Sequence, residues 1–322
     1  MKGNTVYDLI GDIHGHADEL VKLLTHLGYV NGQTGYQHPS RKVIFLGDFI
    51  DRGEDLAQHR ALLGVVMAMV RNGHALAVMG NHEFNALAYH TRHDGLYLRS
   101  HTKKNNEQHQ AFLNEYGEDP EAKQQALDFF YELPLWLELD ELRVVHACWD
   151  ARSIQALTAL GYGAQLTPEL LVKASQAGST EYGAVETLLK GYEVALPPGV
   201  SFKDKGGFER TNMRTQWWQH EATCLQEIAL PADLDLGAAA HDAIPADMPR
   251  YGVAEKPCFV GHYWLRGEPA PRTHNVACLD YSVAKQGKLV AYRWSGEAVL
   301  RNEYFRYSAK AEVRKTSATC LG

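Results

Sequence analysis

Through its first quarter the chain alternates short apolar runs with stretches of helical period. Val6-Tyr7-Asp8-Leu9-Ile10, Val43-Ile44-Phe45-Leu46 and residues 75–79 have the length and composition of buried strands. Between the first two, Leu20, Val21, Leu23, Leu24 and Leu27 recur at helical spacing, and Gly28 is placed to end that helix. A second helical stretch, residues 56–70, precedes the third run, with Gly73 near its end. This β-α-β-α-β order predicts a mainly parallel, buried sheet with right-handed crossovers. Sheets of that kind bind their ligands outside the carboxyl ends of the strands.

The pattern then changes. Residues 84–143 are polar, with helices expected at 107–116 and 121–133 and a His- and Lys-rich stretch from His90 to His109. They read as a helical insertion over the sheet edge, a lid. Leu142-Arg143-Val144-Val145 predicts another strand, ending at His146. Residues 150–255 read as a second insertion, with helices near 167–176 and 184–189 and a mobile stretch at 232–249. Cys258-Phe259-Val260 predicts a strand running into Gly261-His262. The segments 276–279, 288–294 and 299–307 predict antiparallel strands, so that residues 256–307 close a second sheet. No internal repeat is visible.

Composition narrows the picture without redirecting it. Of 322 residues, 45% are hydrophobic and 22% charged, enough for a core that needs no disulfide or structural metal. A formal charge of −7 speaks against a duplex nucleic-acid partner, since no basic excess is present to displace counterions. The five cysteines are odd in number and contain no C-x-x-C pair, which favours reduced thiols in the cytoplasm. Met1–Thr5 lead straight into the first apolar run, and the longest apolar stretch, 61–70, is too short for a bilayer. A soluble cytoplasmic protein without a membrane partner is expected.

The candidate chemistry follows the early strands. Three strings, Gly11-Asp12-Ile13-His14-Gly15-His16, Gly47-Asp48-Phe49-Ile50-Asp51-Arg52-Gly53 and Gly80-Asn81-His82-Glu83, each succeed an apolar run. Divalent cations take carboxylate oxygens and neutral imidazole nitrogens. An Asp-x-His pair on a turn aims Asp12 and His14 at one ion, and Asp48 can share its oxygens between two. Asn81 offers a carbonyl oxygen that needs no deprotonation. His146 and His262, each closing a later strand, complete a second ion's ligands. Two cations roughly 3.5–4 Å apart clamp a phosphoryl group and lower a bridging water's pKa, so that hydroxide attacks phosphorus in line. His82 is placed to protonate the leaving alkoxide, and Asp51 to hydrogen-bond His82 and favour its charged form. Arg52 supplies a planar fork for phosphate oxygens.

These strings give the chain a resemblance to the calcineurin-like metallophosphoesterases, specifically their phosphoprotein-phosphatase branch. It covers residues 5–83 closely and returns around His146, at Gly261-His262 and from Leu279-Asp280 to Arg293. The opening is also similar to bacterial bis(5'-nucleosyl)-tetraphosphatases of that branch. The resemblance implies one α/β domain, a four-layer αββα sandwich of two mixed sheets, because motifs from residue 12 to residue 262 must converge. It implies Asp12, His14 and Asp48 around one metal, and Asp48, Asn81, His146 and His262 around the other. Mn²⁺ is the expected metal, with Fe, Zn or Mg as alternatives. His82 and Asp51 would be the proton-donating dyad, and Arg52 and Asn81 phosphate contacts. A second phosphate-binding arginine is implied, with Arg214 the first candidate and Arg210 the runner-up. The implied activity is hydrolysis of phosphomonoesters, phosphorylated Ser, Thr or Tyr in proteins included. Symmetrical hydrolysis of diadenosine tetraphosphate is the alternative. A catalytically silent phospholigand-binding protein fits less well, since neither a ligand nor His82 is missing.

Two departures bear on these readings. Many superfamily phosphodiesterases carry Gly-His-x-His at the last ligand, whereas this chain has Gly261-His262-Tyr263-Trp264, which leans toward monoesters. The later strand reads Val145-His146-Ala147-Cys148 where branch members often have His-Gly-Gly. A lone histidine after an apolar run is often a satisfied core residue, and Arg214 beside Trp217-Trp218 reads equally as a solvated arginine. His16, His90, His93, His101 and His109 read as surface residues. Cys148 stands too close to Arg152 for the phosphate-cradling loop of a thiol phosphatase, and reads as a packing residue.

Overall fold

The computed structural model describes residues 6–53, 56–197, 199–203 and 209–307. The reading of Met1–Thr5, and Cys320, lie outside the described residues. The opening order is the one the pattern predicts: β1 (Val6–Ile10), α1 (Ala17–Leu27), β2 (Arg41–Phe45), α2 (His59–Arg71) and β3 (Ala75–Ala77). β1 pairs in parallel with β2, and β2 with β3. α1 buries Leu20, Leu23, Leu24 and Leu27 along one stripe, and Gly28 ends it at φ 89°, its N–H donating to the last-turn carbonyls of Leu24 and Thr25. α2 begins at His59 rather than near residue 56.

Next come α3 (Asn81–His90), α4 (Lys103–Tyr116) and α5 (Pro120–Glu132). β4 (Trp136–Glu138) and β5 (Arg143–Val145) form an antiparallel pair that begins a second sheet. The 84–143 insertion expected from sequence therefore ends too late, because β4 belongs to the framework. Three residues behind Pro134 are too few for a periodic signal. Residues 151–190 form three helices, α6 (Ala151–Ala159), α7 (Pro168–Ala174) and α8 (Thr180–Lys190). A small antiparallel sheet of Glu193–Ala195, Asn212–Thr215 and Ala229–Leu230 follows. The chain then returns to the framework as β6 (Cys258–Val260), β7 (Val276–Cys278) and β8 (Lys288–Trp294).

The first sheet runs from Asp280–Tyr281 through β8, β1 and β2 to β3, with Phe305–Tyr307 pairing on β8; the second runs β7-β6-β5-β4. This corrects the expectation that residues 256–307 close the second sheet with antiparallel strands. Only β6 and β7 join it, in parallel with β5 and with each other. β8 crosses to the first sheet and lies antiparallel to β1. The buried carboxylate of Asp8 fixes that crossing. It accepts from Arg41 Nε of β2 at 2.9 Å, from Arg293 Nε of β8 at 2.8 Å and from the Tyr29 hydroxyl at 3.1 Å.

Successive side chains of these strands point to opposite faces. Leu9, Ile44, Val144, Phe259, Ala277 and Tyr292 share one core between the two sheets. Ile10, Val43, Phe45, Val145 and Val260 belong to a second core that includes the helix stripes. Each fully buried large apolar side chain contributes roughly 1.5–3 kcal/mol, so the two faces hold helix, sheet, sheet and helix as four layers. No helix among the described residues is long and apolar enough to cross a membrane.

Candidate active site

The strand ends of β1, β2, β3, β5 and β6 open at one edge of the sandwich, and the chain turns there sharply. His14, Asp48, Asp51, Arg52 and His262 all adopt positive φ, between 46° and 70°. Such conformations cluster where surrounding structure fixes a side chain for use. Two glycines permit the close packing. A Cβ on Gly80 would collide with Asp48 Oδ1, and one on Gly261 with Asp12 Oδ1.

The second and third strings are tied together by Glu83 in the first turn of α3. Its Oε2 accepts from the backbone N–H of Asp48 at 2.9 Å and of Gly80 at 3.0 Å. Its Oε1 accepts from Phe49 at 2.8 Å and Ile50 at 3.3 Å. Asp48 Oδ1 in turn accepts the backbone N–H of His82 at 3.0 Å.

Asp48 Oδ2 is the centre of the arrangement. It lies 3.4 Å from His146 Nε2, 3.7 Å from His14 Nε2 and 4.0 Å from His82 Nε2. Asn81 Oδ1 lies 2.8 Å from His262 Nδ1 and 3.2 Å from His146 Nε2. Both Asp12 oxygens accept the backbone N–H of His262, at 3.0 and 3.2 Å. His14, Asp48 and His82 form one group with ligand atoms within 4.8 Å of one another, and Asp48, His146 and His262 form another. Asp12 stands beside these groups of three rather than within them.

These atoms fit divalent cations on two observations. Nδ1 of His14 is held by the Ile50 carbonyl at 2.9 Å and Nδ1 of His146 by the Leu46 carbonyl at 2.7 Å, which turns each Nε2 lone pair inward. The Nε2 atoms of His14 and His262 are buried without a hydrogen-bond partner. Two of the imidazoles are also held neutral, as ligands must be, whereas His146, and Asp12 whose carboxyl burial and then Asp280 push up, would have to release a proton to bind. Burial pushes His14 down to about 3 and holds His262 well below the usual imidazole range, with His146 and the positive charge of Arg214 adding to the effect on His262. Burial opposes charge on His146 too, but Asp48, then Asp12, raise it to about 10. For His82, burial is outweighed by Asp48 and Asp51, which hold it above its ordinary value.

His82 Nδ1 lies 2.7 Å from Asp51 Oδ2. The Arg52 guanidinium stands over the Trp264 ring at 5.1 Å, its Nε buried without a partner, and the same ring lies 5.9 Å from that of His14. Arg214 sits on the insertion strand Asn212–Thr215, with 37% of its side chain exposed and Nε 4.0 Å from Glu193. Arg210 is exposed on a separate two-residue strand. Sequence reasoning missed three buried groups. Glu83 was visible in the third string as the N3 carboxylate of a capping box. Asp280, which accepts from the N–H groups of Trp264 and Ser282, carried no periodic signal. His109, expected at the surface, is 4% exposed and contacts Asp51.

The two-sheet sandwich thus gathers buried carboxylates, an amide and imidazoles at its strand ends, the donor set that divalent cations take. Residues 7–157 match the family model described as calcineurin-like phosphoesterase. Among curated relatives, the chain is 39% identical over 77 residues to the asymmetrical bis(5'-nucleosyl)-tetraphosphatase PrpE of Halalkalibacterium halodurans, covering 24% of this chain and 30% of that protein. It is 30% identical over 141 residues to the PrpE of Oceanobacillus iheyensis, covering 44% and 54%. The chain thus spans between 30% and 54% of the length of these relatives. In fold it is similar to a protein serine/threonine phosphatase from Saccharomyces cerevisiae, at 12% identity and TM-score 0.50 over 95% of this chain and 80% of that one.

Proposed function

We propose that the protein is a metal-dependent phosphoric ester hydrolase that acts on phosphomonoesters. One observation carries the reading: a buried carboxylate, Asp48, faces three inward-turned imidazoles while the Asp51–His82 pair stands at the same opening. Asp12, His14 and Asp48 would hold one cation, and Asp48, Asn81, His146 and His262 the other, with Mn²⁺ the ion of choice. Such a pair supplies charge that clamps a phosphoryl group and favours ionisation of a water near neutral pH.

The remaining work belongs to the chain. As the bond from phosphorus to the ester oxygen breaks in the in-line displacement, the leaving oxygen gains charge and takes the Nε2 proton of His82. Asp51 keeps the Nδ1–H of His82 and stabilises the imidazolium before transfer. Arg52, braced on Trp264, and Asn81 bind phosphate oxygens, and Arg214 adds positive charge from the insertion. Free thiols at Cys148, Cys224, Cys258 and Cys278 fit a cytoplasmic location.

The similarity to the two tetraphosphatases favours a second reading, hydrolysis of a dinucleoside tetraphosphate by the same attack on a phosphoanhydride. A substrate panel with the Mn²⁺-loaded protein tests both. p-Nitrophenyl phosphate should be cleaved faster than its bis ester, and slower than diadenosine tetraphosphate only if the second reading holds. ATP with AMP would mark asymmetrical cleavage of the dinucleotide, and ADP alone symmetrical cleavage. No turnover of any of the three would end the hydrolase reading.

A further inference from the structure

Asp51 has two histidine partners, and the proposed chemistry uses one. Oδ2 faces His82 Nδ1 at 2.7 Å, and Oδ1 lies 2.8 Å from Nδ1 of His109, which α4 brings in from 58 residues further along the chain. The imidazole of His109 is held on every side. Its Nε2 lies 3.2 Å from His90 Nε2 at the end of α3, and its ring stacks on Phe112 with centroids 4.8 Å apart and planes 16° from parallel. Burial pushes His90 down to about 4, so its neutral ring can donate Nε2–H to His109, which then donates Nδ1–H to Asp51.

The consequence is geometric. A carboxylate that accepts from one neighbour can still rotate about its Cβ–Cγ bond. With Oδ1 engaged by His109, rotation stops and Oδ2 stays aimed at His82. His82 is thereby held with Nε2 toward Asp48, at 4.0 Å, where the proposed leaving oxygen must come. A narrow cavity lined by Asp51, His82, His109, Arg99 and Gln108, among others, adjoins this line of groups. Arg99 there donates to the neutral amides of Asn85 at 3.1 Å and Gln108 at 2.9 Å, which leaves the Asp51 oxygens to the two histidines.

We propose that His109 is a positioning residue for proton donation: acting through Asp51, it sets the orientation of His82. The proposal rests on the reading of His82 as the acid. The second oxygen of the dyad carboxylate is therefore occupied by the helical segment between the third string and β4.

The test compares phenyl phosphate, a poor leaving group, with p-nitrophenyl phosphate, a good one, using the full chain with Mn²⁺. His109→Phe fills the space without the N–H, whereas Asn places an amide N–H where Nδ1 was. His109→Phe should lower kcat roughly tenfold on phenyl phosphate and less than about twofold on p-nitrophenyl phosphate, with KM unchanged. His109→Asn should stay within about twofold of wild type on both esters, and His82→Ala should show the larger loss with the same preference. Equal losses on both esters, or none, with the wild type active, would overturn the role of His109 alone. If the His109→Phe protein does not fold, by thermal unfolding, the Asn variant decides: a tenfold loss on phenyl phosphate in a folded His109→Asn protein overturns the proposal. A wild type inactive on both esters would overturn the hydrolase reading itself, and this proposal with it.

Discussion

Five of the side chains at the strand ends, His14, Asp48, Asp51, Arg52 and His262, stand on backbone that residues with a Cβ seldom adopt. Each such position costs of order 1–3 kcal/mol and persists only where its neighbours over-determine it. For Asp48 those neighbours are Glu83, His146 and the N–H of His82. Asp48→Asn keeps the shape but removes the charge that both proposed ions share. Altering groups that merely support a ligand costs 10–100-fold in metal affinity, so this change should cost more than about 100-fold, with activity falling in step. Normal metal content by elemental analysis would count against a shared ligand. A pH dependence follows from His146. Its folded-state pKa, about 10, lies above neutrality, so in the metal-free protein it holds a proton that a cation must displace. His14 and His262, both depressed, release none, whereas Asp12, whose carboxyl burial and then Asp280 hold well above the usual range, adds to the release wherever it is still protonated. Apparent Mn²⁺ affinity should therefore rise at least about tenfold per pH unit between pH 6 and 8, a slope that calorimetry at several pH values reads directly. Asp12, His14, Asp48, Asn81 and His82 were legible as residues because each follows an apolar run within a few positions. His109 was not, because its partner is 58 residues away and its own surroundings are polar.

At the scale of elements, α3 organises the opening. Its first turn carries Asn81, His82 and Glu83, and the Glu83 carboxylate collects four backbone N–H groups from two loops. Burial, with the charge of Asp48 added, pushes that carboxyl up to about 7 against the pull of those donors. Glu83→Gln would set an NH₂ against two N–H groups, and leaving buried donors unmatched costs roughly 1–3 kcal/mol. Thermal unfolding should show that loss, and Mn²⁺ binding should weaken as the Asp48 loop loosens. An unchanged melting temperature would mean that the loops hold without the clamp. α4 is anchored as well as apposed. Glu115 bonds His59 Nδ1 at 2.7 Å, Arg60 Nε donates to the Glu115 carbonyl at 2.7 Å, and His109 reaches Asp51. The helices of this region were readable from their periodicity. β4 and the small sheet of Glu193–Ala195, Asn212–Thr215 and Ala229–Leu230 were not, since strands of two to four residues cannot display alternation.

For the whole molecule, the parallel βαβ start was plain in the sequence because continuous apolar strands and striped helices have no other common arrangement. The allocation of the last strands was not, because β7 and β8 both carry buried apolar runs and the choice of sheet is made by pairing. Asp8 is the residue that shows how that choice is held. It lies wholly buried between Arg41 of β2 and Arg293 of β8, and both arginines also reach the Leu27 carbonyl at the end of α1. Asp8→Ala would leave two guanidinium groups facing each other, and breaking such a buried pair costs about 3–5 kcal/mol. Urea denaturation should show a fall of that size, with residual activity in whatever fraction remains folded; a fall under about 1 kcal/mol would make the cluster ornamental. That β1 lies between β2 and β8 also matters while the polypeptide is being made. A ribosome that has released the first three strings has released a central strand with one flank bare, and the covering strand is more than two hundred codons away. A nascent chain halted before residue 262 has an open sheet edge and no His262, so such proteolytic or translational fragments should be sticky and inert, not weakly active.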